Sequence, residues 1–135
     1  MAPDASTTEI PAAARELLDK PVVAFLATID PDGLPQVTPV WVNVEDGRIA
    51  VNTAEGRVKH RNMQRDPRVT LALHAPEDVY DWVSIQGRVT MTTEGGDAHI
   101  DRLAKKYLGK DRYPWHKESE TRVRVFIEPV RVVTS

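Results

Sequence analysis

The segment Trp82–Thr92, WVSIQGRVTMT, places Val83, Ile85, Gly87, Val89 and Met91 on one side and Ser84, Gln86, Arg88 and Thr90 on the other. A strict period of two over that length fits a strand with one buried face and no helix. The other apolar runs obey the same constraint. Val22–Ile29 (VVAFLATI) is β-branched and apolar on both faces, as expected of a strand buried on two sides. DPDG at 30–33 is a turn by composition. PQVTPVWVNV, then EDG, then RIAVNT reads as a hairpin, because Asp-Gly between two such runs favours a tight reversal. RVTLALH resumes β character with Val69, Leu71 and Leu73 alternating, and 75–81 reads as a loop. In RVRVFIEPVRVV, Val123, Val125 and Ile127 alternate. Pro129 cannot donate to a ladder and so marks a bulge or an edge.

Helical spacing occurs at Ile10, Ala13, Ala14, Leu17 and Leu18, with Pro11 suited to a first turn and Pro21 ending the helix. A second helix is expected from about Gly96 to Leu108, with Ile100, Leu103, Ala104, Tyr107 and Leu108 inward. About six strands, joined mostly by short hairpins, describe a mostly-β antiparallel barrel with peripheral helices. At 135 residues the chain is one domain, over 9–135, after a disordered start at 1–8.

Composition removes whole classes of chemistry. There is no cysteine, so disulfides, thiolate metal sites and cysteine nucleophiles are excluded. His60, His74, His99 and His116 are scattered without ligand spacing, so no metal is expected. Neither G-x-S-x-G nor G-x-G-x-x-G occurs. The longest apolar run cannot span a bilayer and the first residues lack a signal-peptide pattern, so a soluble cytoplasmic protein is expected, with no membrane partner. A net charge of −2 argues against nucleic acid.

Against that balance, Arg57, Lys59, Arg61, Arg65 and Arg68 crowd into twelve residues with one acid, Asp66. Thr53 could cap a helix beginning near Ala54 and ending by Arg65, before Asp66-Pro67. Cations in the first turns oppose the helix dipole, and a phosphate or carboxylate there would neutralise them. A solvated face with ion pairs to Asp66 and Glu55 is the alternative. Trp41 and Trp82 fall on strands, as core residues or beside a flat ring or a dimer interface.

Two blocks carry a resemblance: A-T-x-x-x-D-G-x-P-x-V-x-P-V-W at 27–41 and R-x-K-x-R-N-x-x-R-D-P-R at 57–68, supported by IQGRVTM and YLGKDRYP. The chain resembles the pyridoxamine 5'-phosphate oxidase-like family, and more closely its actinobacterial F420-dependent oxidoreductases. The resemblance spans about 17–133. It implies a six-stranded, FMN-binding-protein-like split β-barrel and a homodimer with cofactor clefts at the interface. Arg57 and Lys59 would bind the cofactor phosphate, followed by Arg61 and Asn62. Asn52 and Thr53 would add contacts at the end of the third strand. Gln36, Val37, Thr38, Pro39 and Val40 would run beside the ring and ribityl chain. Trp82, Gln86 and Gly87 would border the cleft from the second subunit.

The implied activity is hydride transfer from reduced F420 to an electron-poor small organic molecule of enone, quinone or tetrapyrrole type. FMN is the alternative cofactor, and a non-catalytic flavin or F420 carrier or sensor the alternative role. Arg61 and Arg65 could meet the carboxylate tail of F420. His74 and Tyr80 are proton donors only by residue type, so no catalytic residue is assigned. The true oxidase activity is not expected, because no substrate-phosphate motif follows Val133.

Overall fold

A computed structural model describes residues 7–135. Positions 1–6 of the expected disordered start lie outside it; Thr8, which belongs to that start, donates a backbone bond to Pro129 at 2.8 Å. The elements are α1 (Ala12–Asp19), β1 (Ala24–Ile29), β2 (Pro35–Val40), β3 (Val42–Glu45), β4 (Arg48–Ala54), α2 (Val58–Arg65), β5 (Arg68–Ala75), β6 (Asp78–Thr92), α3 (Gly96–Leu108) and β7 (Arg122–Thr134). One antiparallel sheet has the order β2-β1-β5-β6-β7-β4-β3.

The expected six strands are therefore seven, in an open sheet rather than a closed six-stranded barrel. The difference lies at Trp41. β2 pairs with β1, Val40 opposite Ala24, while β3 pairs with β4, Val42 opposite Val51. The amide of Val42 goes to the Tyr107 hydroxyl at 3.1 Å, and that hydroxyl donates to Val22 O at 2.7 Å. Lys106 braces the same corner, donating to Leu18 O and, at 2.6 Å, to Val42 O. Burial pushes its ammonium down to about 8. The outermost strands, β2 and β3, are consecutive in the chain and are joined through Trp41 at this corner without a ladder between them.

The inward residues match the period-two reading. Val83, Ile85, Gly87 and Val89 of β6 are buried, and so are Val123, Val125 and Ile127 of β7. With Leu26, Val42, Ile49, Val51 and Leu71 they form the core, which Leu17 and Leu18 of α1 cover at one end. The bulge expected at Pro129 is present. Gly87 pairs with Pro129 but Gln86 pairs with Arg131, so Val130 is the extra residue. A side chain at Gly87 would collide with the Glu128 carbonyl and Ile127, so this strand crossing requires glycine.

Two strands differ from expectation. The run 22–29 is not buried on both faces: Val23, just before β1, and Phe25 within it are 42% and 45% exposed. The strand covered on both sides is β4, buried from Ile49 to Ala54, between the core and α3. The expected loop at 75–81 is mostly strand, since β6 starts at Asp78. No helix among the described residues is long and apolar enough to cross a membrane.

Candidate functional site

The basic segment is arranged by the turn after β4. Thr53 does not cap α2. It lies within β4, and the helix starts at Val58 with Arg57 in the extended N-cap position. Lys59 follows in the first turn, so both cations still stand at the N-terminal end of the helix. A cleft of about 290 Å³ opens there, lined by Val23, Pro39, Val40, Trp41, Asn52, Arg57, Lys59, Ile100, Leu103, Tyr113, Trp115 and Arg122.

Of the expected site residues, Pro39, Val40, Asn52, Arg57 and Lys59 come together here, from β2, β4 and the start of α2. Gln36 lies further along β2, accepting from Thr28 Oγ1 at 3.2 Å, and Val37 is 57% exposed. The Thr38 and Thr53 hydroxyls are buried without a partner among the described residues, and neither residue lines the cleft. Arg61 is exposed. Asn62 faces β1, its amide donating to Thr28 Oγ1 at 3.0 Å and Asp30 at 2.8 Å and accepting from Arg65. Arg65 also donates to Ile29 O at 2.7 Å and does not line the cleft, which weakens its expected role toward an anionic tail.

Gln86 and Gly87 line a different cleft of about 470 Å³, with Thr28, Arg68, Arg88 and Val130 among its walls. Trp82 sits on the outer face of β6, its amide bonded to the Ser135 hydroxyl at 3.1 Å. One chain therefore separates these three from the cationic cleft. His74 has its Nδ1 2.7 Å from Ala75 O, Tyr80 is 81% exposed, and neither lines the cationic cleft.

Tyr113, Trp115 and Arg122 line the cleft without an expected role, and they join Trp41, which was expected as core or beside a flat ring or a dimer interface. Trp41 stacks on Tyr107 at 5.3 Å, Tyr113 meets Trp41 edge-on at 6.1 Å, and Trp115 meets Tyr113 at 5.6 Å. Arg122 lies 5.2 Å from the Tyr113 ring centroid. YLGKDRYP contained Tyr113, but nothing local ties a loop residue to a strand so far back in the chain. Arg122 had no distinguishing signal, since β7 also carries Arg124, Glu128 and Arg131.

Positive charge dominates the cleft. Arg57 Nη2 donates to Glu120 Oε2 at 2.7 Å and Arg122 Nη1 to Glu120 Oε1 at 3.1 Å. These bonds hold the Glu120 carboxyl below the usual range, Arg57 contributing most. The Lys59 ammonium makes no hydrogen bond or ion pair among the described residues. Burial first, then the charges of Arg57 and Arg122, pushes its ammonium below the ordinary lysine value. Partly buried cations without sufficient counter-charge are costly unless an anion joins them.

Behind the cleft lies a buried amide–imidazole network. Asn52 Oδ1 accepts from Arg122 Nε at 2.9 Å, and its Nδ2 donates to Gly96 O at 3.0 Å and His99 Nδ1 at 3.1 Å. His99 Nε2 then donates to Asn43 Oδ1 at 2.9 Å. Burial pushes His99 down to about 4, so it is neutral at physiological pH. Among the described residues there is no cluster of three potential metal ligands.

The fold is shared with solved structures. A protein titled F420 reductase superposes with a TM-score of 0.80 at 24% identity, over 92% of this chain and 98% of that one. A conserved hypothetical protein from Mycobacterium tuberculosis gives 0.72 at 24% identity, over 99% and 89%. HupZ from Group A Streptococcus gives 0.62 at 19% identity, over 89% of each chain. The family profile described as pyridoxamine 5'-phosphate oxidase matches residues 10–134. That match takes in the seven-stranded sheet, the three helices of the described residues and the cationic cleft, and the chain accordingly belongs to the pyridoxamine 5'-phosphate oxidase-like family of flavin-binding oxidoreductases.

Proposed function

We propose that this protein is an F420H2-dependent reductase acting on an electron-poor small organic molecule, of the enone, quinone or tetrapyrrole type. The observation that carries the reading is the cleft where Arg57, Lys59 and Arg122 converge beneath Pro39, Val40, Trp41 and Tyr113. An apolar wall with a few convergent polar groups suits a flat ring attached to an anion. The F420 reductase title of one structural neighbour agrees with this cofactor.

Arg57 and Lys59 would hold the phosphate, aided by the free amides of the first turn of α2. Pro39 and Val40 would flank the ribityl chain and ring, while the Trp41–Tyr107 stack holds that wall in place. When bound, the reduced deazaflavin supplies the hydride; the chain binds and orients it and excludes water from one face. No residue is assigned as proton donor.

A cleft of about 290 Å³ lies at the small end of ligand pockets, roughly 300–1,000 Å³. The rest of the site would come from a second copy. The outer sheet face supports this: Phe25 pairs with Pro39 and Ala72, Ala72 with Ser84, and Ser84 with Val133, a mostly apolar row across five strands. In a homodimer that covers this row, the partner would present Trp82, Gln86 and Gly87. Phe25→Asp should convert a dimer into a monomer in light scattering. A wild-type monomer would remove the shared-cleft arrangement.

FMN is favoured by one observation. Three cations and one carboxylate leave the cleft with a surplus suited to a phosphomonoester of about two negative charges. Fluorescence titration with F420 and FMN side by side decides the cofactor, and oxidation of F420H2 by a quinone or enone decides enzyme against carrier. Binding of neither cofactor would end the reading.

A further inference from the structure

The resemblance gave the contact from the end of the third expected strand to Asn52, but the hydrogen bonds point to another residue. The Asn52 amide is fully committed: its oxygen to Arg122, its nitrogen to Gly96 O and His99. Each polarity is forced. Arg122 Nε can only donate, so Asn52 must present its oxygen there and its NH2 to His99 Nδ1, which leaves His99 Nε2–H for Asn43. Asn52 cannot turn to a ligand without orphaning several buried groups, each at a substantial cost.

Arg122 is free to do what Asn52 is not. It is 4% exposed, lines the cleft, and is held on three sides by Asn52, Glu120 and the Tyr113 ring. Its Nη2 has no partner among the described residues. We propose that Arg122 is an anion-binding residue of this cleft, acting with Arg57 and Lys59 on a phosphate or comparable multi-oxygen dianion, and that Asn52 and His99 are positioning residues for its guanidinium. This deepens the cofactor reading and rests on it only for the identity of the ligand.

The geometry explains two otherwise separate features. Glu120 gives one oxygen to Arg57 and the other to Arg122, so it joins the start of α2 to the start of β7 and holds the two guanidinium groups as a pair. Gly96 lies so close to Arg122 that a side chain there would collide with the Arg122 carbonyl, which keeps α3 and its His99 against the network. A planar guanidinium held in this way loses little freedom when it binds an anion, unlike a lysine.

The test compares wild type, Arg122→Gln and Arg122→Lys with three probes: FMN, riboflavin (the same ring without phosphate) and inorganic pyrophosphate. Arg122→Gln should bind FMN and pyrophosphate at least tenfold more weakly with riboflavin affinity unchanged, and Arg122→Lys should recover part of the loss. Should Arg122→Gln fail to fold in a thermal melt, Arg122→Lys carries the test, with an expected loss of threefold or more confined to the phosphate-bearing probes. Equal losses for FMN and riboflavin would reduce Arg122 to a structural role and overturn the proposal, as would unchanged affinity for FMN and pyrophosphate. Wild-type binding of pyrophosphate but of neither F420 nor FMN would sink the cofactor reading, while the pyrophosphate arm would still decide on Arg122.

Discussion

The two ends of α2 carry similar cations and use them in opposite ways. At the C-terminal end, Arg65 donates to Ile29 O and Asn62 Oδ1, and Arg68 forms two bonds with Asp66, at 2.7 and 3.0 Å. The Arg68 side chain and backbone amide draw Asp66 down to about 2. Cations there also suit the helix dipole. At the N-terminal end, Arg57 and Lys59 oppose the dipole and are joined by Arg122, with Glu120 as the carboxylate shared between the two arginines. A run of basic residues thus contains two populations. Residues with acceptors close by hold the fold together, and those gathered by distant strands keep an excess of positive charge.

The strongest way to break this comparison is to remove charge at each end in turn. Arg57→Ala with Lys59→Ala should weaken cofactor binding by tenfold or more, since each charge-assisted contact contributes roughly 1.5–3 kcal/mol. Arg65→Ala should leave affinity within twofold in the same titration. Equal effects at the two ends would erase the distinction. Next in size, Asn62→Ala should destabilise the fold by about 1–3 kcal/mol in denaturant unfolding, because Thr28 and Asp30 each lose a donor. It should scarcely alter binding.

A smaller effect sharpens the N-terminal side through pH. His99 titrates near 6.5 when unfolded and near 4 when folded, so the unfolded state binds more protons between those values. Its contribution to stability is fully retained above about 6.5 and is lost progressively as pH falls toward 4. His99→Gln should flatten that part of the melting-temperature profile. A profile unchanged by the substitution would show that the imidazole is not held neutral by its surroundings. Smallest of all, Arg61→Ala should leave affinity essentially unchanged in the cofactor titration, since Arg61 is exposed.

The alternation in 82–92, the β7 bulge at Pro129 and the span of α3 could be read from residue order, because each depends on contacts within a few positions or on a periodicity of one element. Only at the end of α3 does the reading fail, where Leu108, expected inward, is 40% exposed because the helix stops at Gly109. The start of α2 could not. Thr53 had the chemistry of a cap, but β4 extends through Ala54 because Arg122 offers a partner strand there. The seventh strand was hidden for a similar reason. PQVTPVWVNV looks continuous, and only the Tyr107 hydroxyl, 65 residues from Val42, takes the amide at the point where the run changes neighbours.

By itself, the order of residues determined that this chain forms antiparallel strands around an apolar core and concentrates positive charge between Arg57 and Arg68. Tertiary structure alone decided which of those charges remain available. Whether a guanidinium is neutralised depends on where its acceptors fall: three residues away for Arg65 and Asn62, 63 for Arg57 and Glu120. Coulomb energy depends on distance through space rather than along the chain.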